Sequence, residues 1–284
     1  MRIESAEKIN MIDILLATYN GRKHLREQID SILTQSNQDW RLLIRDDISN
    51  DDTLDIIKEY VAKYSDRIIL IEDDKKHLGA MLNFQCLLQN STAEYIMFCD
   101  QDDVWLPTKI EATLNLMKGT EKAFSGKPIL VHTDLRVVNH ELATIAKSMW
   151  AYQGTHPANG GDFNKIMFQN VVTGCSAMIN KKAKAISMPI PAEAVMHDWW
   201  IALNVAKHGK IAYIPQQLVL YRQHRNNAVG AKGDRTSLKE RVFAHCRMIK
   251  KYDPTLSFWS IFVEKVANKI IQKYNKYRFF PSDN

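Results

Sequence analysis

The residues best suited to chemistry are acidic, and they come in short runs. Asp100-Gln101-Asp102-Asp103 places three carboxylates in four positions, directly after the apolar run of residues 95–99. Carboxylates this close repel one another and stay ionised cheaply only beside a cation or in open water. Asp100 and Asp102, hard oxygen ligands with one residue between them, suit Mg²⁺ or Mn²⁺, an ion that also bridges phosphate oxygens and neutralises a departing diphosphate. A further carboxylate, Asp198, lies in Met196-His197-Asp198-Trp199-Trp200. Its apolar neighbours can raise its pKa, and an aromatic face there can pack on a sugar ring. Plainer readings exist for two of the runs. Asp198 opens an amphipathic stretch with Ile201, Ala202 and Val205 and could be only a helix cap, as could the Asp46–Asp52 run before Thr53. Tyr221-Arg222-Gln223-His224 adds a cation and an imidazole, residue types that more often serve structure than catalysis.

The elements that must position these groups are legible as alternating patterns. Residues 12–17, 41–44, 68–71 and 95–99 are strand-length runs rich in Ile and Leu, as strands covered on both faces are. Between them, Leu25/Ile29/Ile32/Leu33, Leu54/Ile57/Val61/Tyr64, Met81/Phe84/Leu88 and Ile110/Leu114/Met117 follow helical spacing. This βαβα order predicts an α/β fold with a mostly parallel sheet and crossover helices. Ligands of such sheets bind beyond the carboxyl ends of the strands. There the sequence places Thr18-Tyr19-Asn20-Gly21, residues 45–51 and residues 100–105. After residue 125 the pattern loosens. Strand runs at 129–132, 211–214 and 218–220 flank an irregular, glycine-containing stretch at 149–162, which predicts acceptor-binding loops. Leu238, Val242, Cys246 and Ile249 predict a helix that Asp253-Pro254 ends, and a second helix is expected over 259–270.

The whole chain bounds these readings. Its 284 residues accommodate one large α/β domain and a small appendage, and 45% apolar with 25% charged residues is the composition of a soluble globular protein. The longest charge-free stretch, residues 166–180, is too short and too polar to span a bilayer. The first ten residues lack the apolar core of a signal peptide. Cys86, Cys99, Cys175 and Cys246 have the spacing of neither a disulfide framework nor a zinc site, so a cytoplasmic setting is expected. From residue 232 onward, 12 Lys and Arg face 5 Asp and Glu, so the net charge of +6 resides in the tail. That basic tail, with Phe258, Trp259, Phe279 and Phe280, either contacts an anionic membrane peripherally or packs on the domain with a solvated face. Nucleic acid is not expected as a partner, because the basic residues accompany no aromatic sheet motif or reading helix.

Taken together, Thr18-Tyr19-Asn20, Ser31-Ile32 with Gln35, Asp46-Asp47 and Asp100-Gln101-Asp102-Asp103-Val104-Trp105 resemble the family 2 nucleotide-sugar glycosyltransferases of the GT-A fold, over about residues 11–230. Leu43–Asp47, Val172-Thr173-Gly174, Met196–Trp199 and Tyr221–His224 are similar to the bacterial rhamnosyltransferases of polysaccharide assembly. The resemblance implies a Rossmann-like mixed sheet with a nucleotide-binding half (residues 11–125) and an acceptor-binding half (126–230) in a catalytic domain of residues 1–230, after which the charge balance and helical spacing predict a basic helical tail (231–284). It implies that Thr18, Tyr19, Asn20, Asp47 and Asp100 bind the nucleotide. Asp100 and Asp102 would hold Mg²⁺ or Mn²⁺ with His224 as a third contact, and Asp198 would be the general base. Trp105, Thr173, Gly174, His197, Trp199 and Arg222 would line the acceptor side. The implied partners are a nucleotide-sugar donor, dTDP-rhamnose foremost, and a glycan or lipid-linked acceptor; no oligomeric state is implied. Ile48 stands where many relatives have glycine, and the Gln-x-x-Arg-Trp motif of processive synthases is missing, which implies addition of one sugar or a few. Two rival readings are a sugar nucleotidylyltransferase, which would need a glycine-rich basic loop where residues 18–23 hold one glycine, and an inactive glycan-binding module.

Overall fold

A computed structural model describes residues 11–224 and 238–257. The N-terminal half runs β1 (Ile12–Thr18), α1 (Leu25–Leu33), β2 (Trp40–Asp46), α2 (Thr53–Lys63), β3 (Ile68–Leu70), α3 (Gly79–Asn90) and β4 (Tyr95–Cys99). There follow β5 (Val104–Trp105), α4 (Lys109–Ala123), β6 (Ile129–Val138), β7 (Thr144–Ala146), α5 (Met149–Gln153) and α6 (Phe163–Phe168). The chain then forms β8 (Ala177–Asn180), α7 (Lys181–Ser187), α8 (His197–His208), β9 (Lys210–Arg222) and α9 (Leu238–Tyr252).

The strands make one mixed sheet in the order β3-β2-β1-β4-β8-β6-β9-β5, with β7 added to β6. β3, β2, β1 and β4 are mutually parallel, so their carboxyl ends form one rim. β8 runs antiparallel between β4 and β6, and β9 returns parallel to β6. The parallel strands read as continuous apolar runs because both faces are covered. Ile12, Ile14 and Leu16 pack toward α1, α2 and α4, while Leu15 packs with Phe84, Leu87 and Leu88 of α3 on the other face. The alternation follows from the period of two along a strand.

The second half departs from its sequence pattern in three ways. Residues 211–214 and 218–220 belong to one long strand, β9, which continues through Pro215 where the pairing with β6 shifts register. The stretch 149–162 is more ordered than its glycines suggest. Buried Asp134 Oδ1 accepts from the Met149 and Trp150 amides at 3.1 and 3.3 Å, which starts α5. β8 was hidden within the charge-free stretch at 166–180. As expected, α9 ends at Tyr252 before Asp253-Pro254. Cys246, Met248 and Ile249 of α9 pack in the core with Trp199 and Leu203. The second tail helix and the residues Phe258, Trp259, Phe279 and Phe280 lie outside the described residues.

Candidate active site

The three loops at the parallel rim interlock. Thr18, at the end of β1, is buried and donates its hydroxyl to Asp46 Oδ1 at 2.8 Å. Asp46 also receives the Ser49 hydroxyl and amide, which folds residues 46–49 into a tight turn. That turn carries Ile48 at φ 63°, a left-handed conformation that a β-branched residue rarely adopts. The backbone shape that glycine would supply is therefore kept without glycine. Asn20 and Ser49 cross-link the first two loops: the Asn20 amide donates to Ser49 Oγ at 2.8 Å, and the Asn50 amide to Asn20 Oδ1 at 2.9 Å. Tyr19 stands half exposed beside these groups, edge-on to His77.

Asp47 is turned inward. Its carboxylate accepts the Leu78 and Gly79 amides at the start of α3, both at 2.8 Å, and lies 3.3 Å from the Arg45 guanidinium. Its two oxygens thus already anchor the segment leading into α3. Asp73 completes this buried ion-pair group by taking two further nitrogens of Arg45, and that charge holds the Asp73 carboxyl below its ordinary range.

The acidic loop after β4 divides its labour. Asp102 Oδ2 sits 2.8 Å from His224 Nε2. Asp103 is buried and accepts the Arg222 amide at 3.0 Å. Burial raises the pKa of both Asp100 and Asp103, and the neighbouring carboxylates push in the same direction. Asp100 has a carboxylate oxygen within 4.8 Å of Cys175 Sγ, and the preceding residue, Gly174, bonds Asp198, so the 174–175 segment links the acidic loop to the start of α8. Asp198 itself is held by the Gly174 amide, which donates to Oδ2 at 2.9 Å, and by the Trp199 amide on Oδ1. Burial pushes Asp198 up to about 6 against the opposing pull of those two amides. A side chain at position 174 would come within 2.9 Å of His197 Nε2, so the amide reaches Asp198 because residue 174 is glycine.

Four residues expected on the acceptor side have buried side chains. Arg222 is 1% exposed; its guanidinium donates to the Asp102 carbonyl at 2.7 Å, the His140 carbonyl at 2.6 Å and the Glu27 carboxylate. His197 is 3% exposed, packed against Phe84 and Phe98 with ring centroids 4.1 and 5.0 Å away. Trp105 is buried beneath Lys109, whose Nζ lies 3.2 Å from its ring centroid. Trp199 is buried and donates its indole N–H to the Ile166 carbonyl at 2.7 Å. The resemblance implies an acceptor-side place for each, whereas the elements carrying them turn these side chains into the core. Thr173 is half-buried and precedes Gly174, whose amide holds Asp198. Pattern reading missed Glu27, Gln101, Lys109, Cys175 and His24, whose ring stacks on His224 at 5.3 Å. Of these only Gln101 carried a local signal, its place inside the acidic run.

Two arrangements could take a cation. Asp100, Asp103 and Cys175 bring one ligand atom each within 4.8 Å of one another. However, burial holds the Cys175 thiol protonated well above its usual range, and a soft thiol suits Mg²⁺ or Mn²⁺ poorly. Asp102 with His224, flanked by Asp100, offers the harder and more open donor set, and like charges crowded there are what a divalent ion relieves.

A mixed, mostly parallel sheet flanked by helices, with an acidic loop at the carboxyl end of its central strand β4, is the architecture of a GT-A type fold. The chain belongs to Glycosyl transferase family 2, whose family model matches residues 13–183. It is 31% identical over 222 residues to the dTDP-rhamnosyl transferase RfbG of Shigella flexneri, covering 76% of this chain and 74% of that one. It is 23% identical over 221 residues to the putative teichuronic acid biosynthesis glycosyltransferase TuaG of Bacillus subtilis, covering 78% and 82%. Among solved structures, S. aureus TarS 1-349 in complex with UDP-GlcNAc matches at TM-score 0.60 and 14% identity, covering 96% of this chain and 74% of that one. The mannosyltransferase PcManGT of Pyrobaculum calidifontis, in complex with GDP-Man and Mn²⁺, matches at TM-score 0.60 and 15% identity, covering 94% and 69%. The chain spans 43% of a longer TarS structure. It is a nucleotide-sugar glycosyltransferase of family 2, and no helix among the described residues is long and apolar enough to cross a membrane.

Proposed function

We propose that this chain is a metal-dependent, inverting transferase that moves L-rhamnose from dTDP-rhamnose onto a hydroxyl of a glycan or lipid-linked oligosaccharide during cell-surface polysaccharide synthesis. The observation that carries the reading is that one segment, Gly174-Cys175, joins Asp198 at the start of α8 to Asp100 of the acidic loop, Gly174 through its amide and Cys175 by lying within 4.8 Å of the Asp100 carboxylate. A base and a phosphate-binding end then lie on the two sides of one reacting carbon. The rhamnose donor is supported by the 31% identity to RfbG.

In this reading Thr18, Tyr19, Asn20 and Asp47 cradle the nucleoside, and Asp100 with Asp102 faces the diphosphate. Asp102, Asp100 and His224 would hold Mg²⁺ or Mn²⁺, which supplies positive charge for the leaving diphosphate. Asp198 takes the proton of the acceptor hydroxyl as its oxygen bonds to the anomeric carbon. The carbon–oxygen bond to the diphosphate breaks on the opposite side, so configuration inverts without a covalent enzyme intermediate. Asp198 is suited to this because burial raises its pKa while the Gly174 amide fixes its orientation. Residues 1–230 form the catalytic unit and residues 231–284 the basic tail; α9 packs on that unit, and the tail's basic residues contact an anionic membrane peripherally, where a lipid-linked acceptor resides.

The test is a panel of nucleotide sugars incubated with the purified chain, with and without Mn²⁺, scored for nucleoside diphosphate release. Release from dTDP-rhamnose above all other donors, and only with the ion, is expected. Preference for another donor discards rhamnose, and equal release with EDTA discards the metal.

A further inference from the structure

We propose that Gln101 is a positioning residue that sets the spacing between the nucleoside end and the diphosphate end of the donor site. The inference rests on the donor reading above. β1 and β4 are neighbouring parallel strands, and their backbone pairing stops at Leu16 and Cys99. The two loops that leave these strand ends carry different halves of the proposed donor site. Beyond the last backbone pair, one side chain carries the connection onward. Gln101 Oε1 accepts the Tyr19 amide at 2.8 Å, and Gln101 Nε2 donates to the Tyr19 carbonyl at 2.9 Å. Both hydrogen-bonding groups of one peptide residue are thus met by one amide side chain, the two-point pattern a neighbouring strand would give.

The seat of this side chain is specific. A Cβ on Gly21 would stand 2.3 Å from Gln101 Oε1 and 2.6 Å from Cδ, so the amide lies directly against the glycine backbone. Gly21 is itself fixed, its amide donating to Thr53 Oγ1 at 2.8 Å and its carbonyl accepting the His24 and Leu25 amides. The loop is held on its other side by the Asn20–Ser49 cross-link. Gln101 therefore ties the loop carrying Asp100 and Asp102 to an otherwise anchored nucleoside loop. A ligand that bridges the two loops gains from a gap already set, because binding need not then order it.

The experiment measures calorimetric affinity for dTDP and for UDP, each with Mn²⁺, in the full chain and in Gln101→Met, Gln101→Glu, Gly21→Ala and the Gln101→Met/Gly21→Ala double variant. Gln101→Met keeps the length and removes both bonds, and about a tenfold loss for the diphosphate that the parent binds is expected. Gln101→Glu keeps one acceptor and should fall between the two. Gly21→Ala displaces the same amide, so the double variant should bind no more weakly than Gln101→Met alone, since both changes break one tie. The urea midpoint of Gln101→Met should match the parent. Unchanged affinity in Gln101→Met overturns the proposal, as does a double variant whose losses multiply to about a hundredfold. A parent chain that binds neither diphosphate overturns the donor reading, and this inference with it.

Discussion

His224 Nε2 lies 2.8 Å from Asp102 Oδ2, joining the residues that follow β9 to the acidic loop that follows β4. Two residues earlier on the same strand end, Arg222 grips the backbone of that loop at the Asp102 carbonyl. The proposed metal-binding pair is thus held by a buried cation that does not itself face the ligand.

Asp102→Ala and His224→Ala are each expected to weaken Mn²⁺-dependent binding of the nucleoside diphosphate by on the order of 10–100-fold. Titration calorimetry with Mn²⁺ and again with EDTA reads this directly. Retained affinity in both variants would remove the pair from the metal site.

Asp198→Asn should cut transfer by about 10²–10⁴-fold while leaving donor binding intact, because only the proton acceptor is lost. The base works ionised, and its pKa is raised by burial to about 6. Transfer should therefore rise as pH climbs through about 6 and level off above it. An active Asp198→Asn enzyme, or a rate flat across that range, contradicts the assignment.

Arg222→Met is expected to cost about 1–3 kcal/mol of stability, because it leaves the Asp102 and His140 carbonyls without their buried donor, while Glu27, half exposed, regains water. Urea denaturation measures it. A loss below about 1 kcal/mol, the range of an exposed ion pair, would show that the clamp carries little.

Ile48 holds φ 63° with its side chain on the surface. Relief of a left-handed β-branched residue outweighs the greater chain entropy of glycine, so Ile48→Gly should stabilise the fold by about 0.5–1 kcal/mol. A lower urea midpoint in that variant would mean that the Ile48 side chain contributes packing that offsets its strain.

Burial holds His132 and His197 neutral, each with its pKa lowered to about 3. In the unfolded chain such groups take up a proton near about 6.5, so their share of stability is complete above that pH and is lost as pH falls toward about 3. His197→Phe, seated between Phe84 and Phe98, should lose less stability than the parent over this acid window. Parallel stability curves for the two proteins would show that His197 does not contribute.

Much of the scaffold could be read from local pattern. β1, β2 and β4 are covered on both faces and so leave unbroken apolar runs, and the acidic loop and Thr18-Tyr19-Asn20 follow those runs directly. Short antiparallel strands left weaker traces. β5 has two residues and β7 three, too few to show alternation, and β9 was split in the reading by Pro215 although its pairing merely shifts register there.

The sequence by itself determined the fold class, the strand ends that carry the acidic and polar loops, and the family to which the chain belongs. All of these rest on residues close together in the chain. Which polar groups face the site and which support it was decided by tertiary structure alone. Arg222 meets a carboxylate 195 positions away and a backbone carbonyl 120 positions away, and His197 is enclosed by rings from α3 and β4. Burial and hydrogen-bond partnership are properties of what surrounds a residue in space. For these side chains the surroundings come from distant segments, whose approach no local spacing encodes.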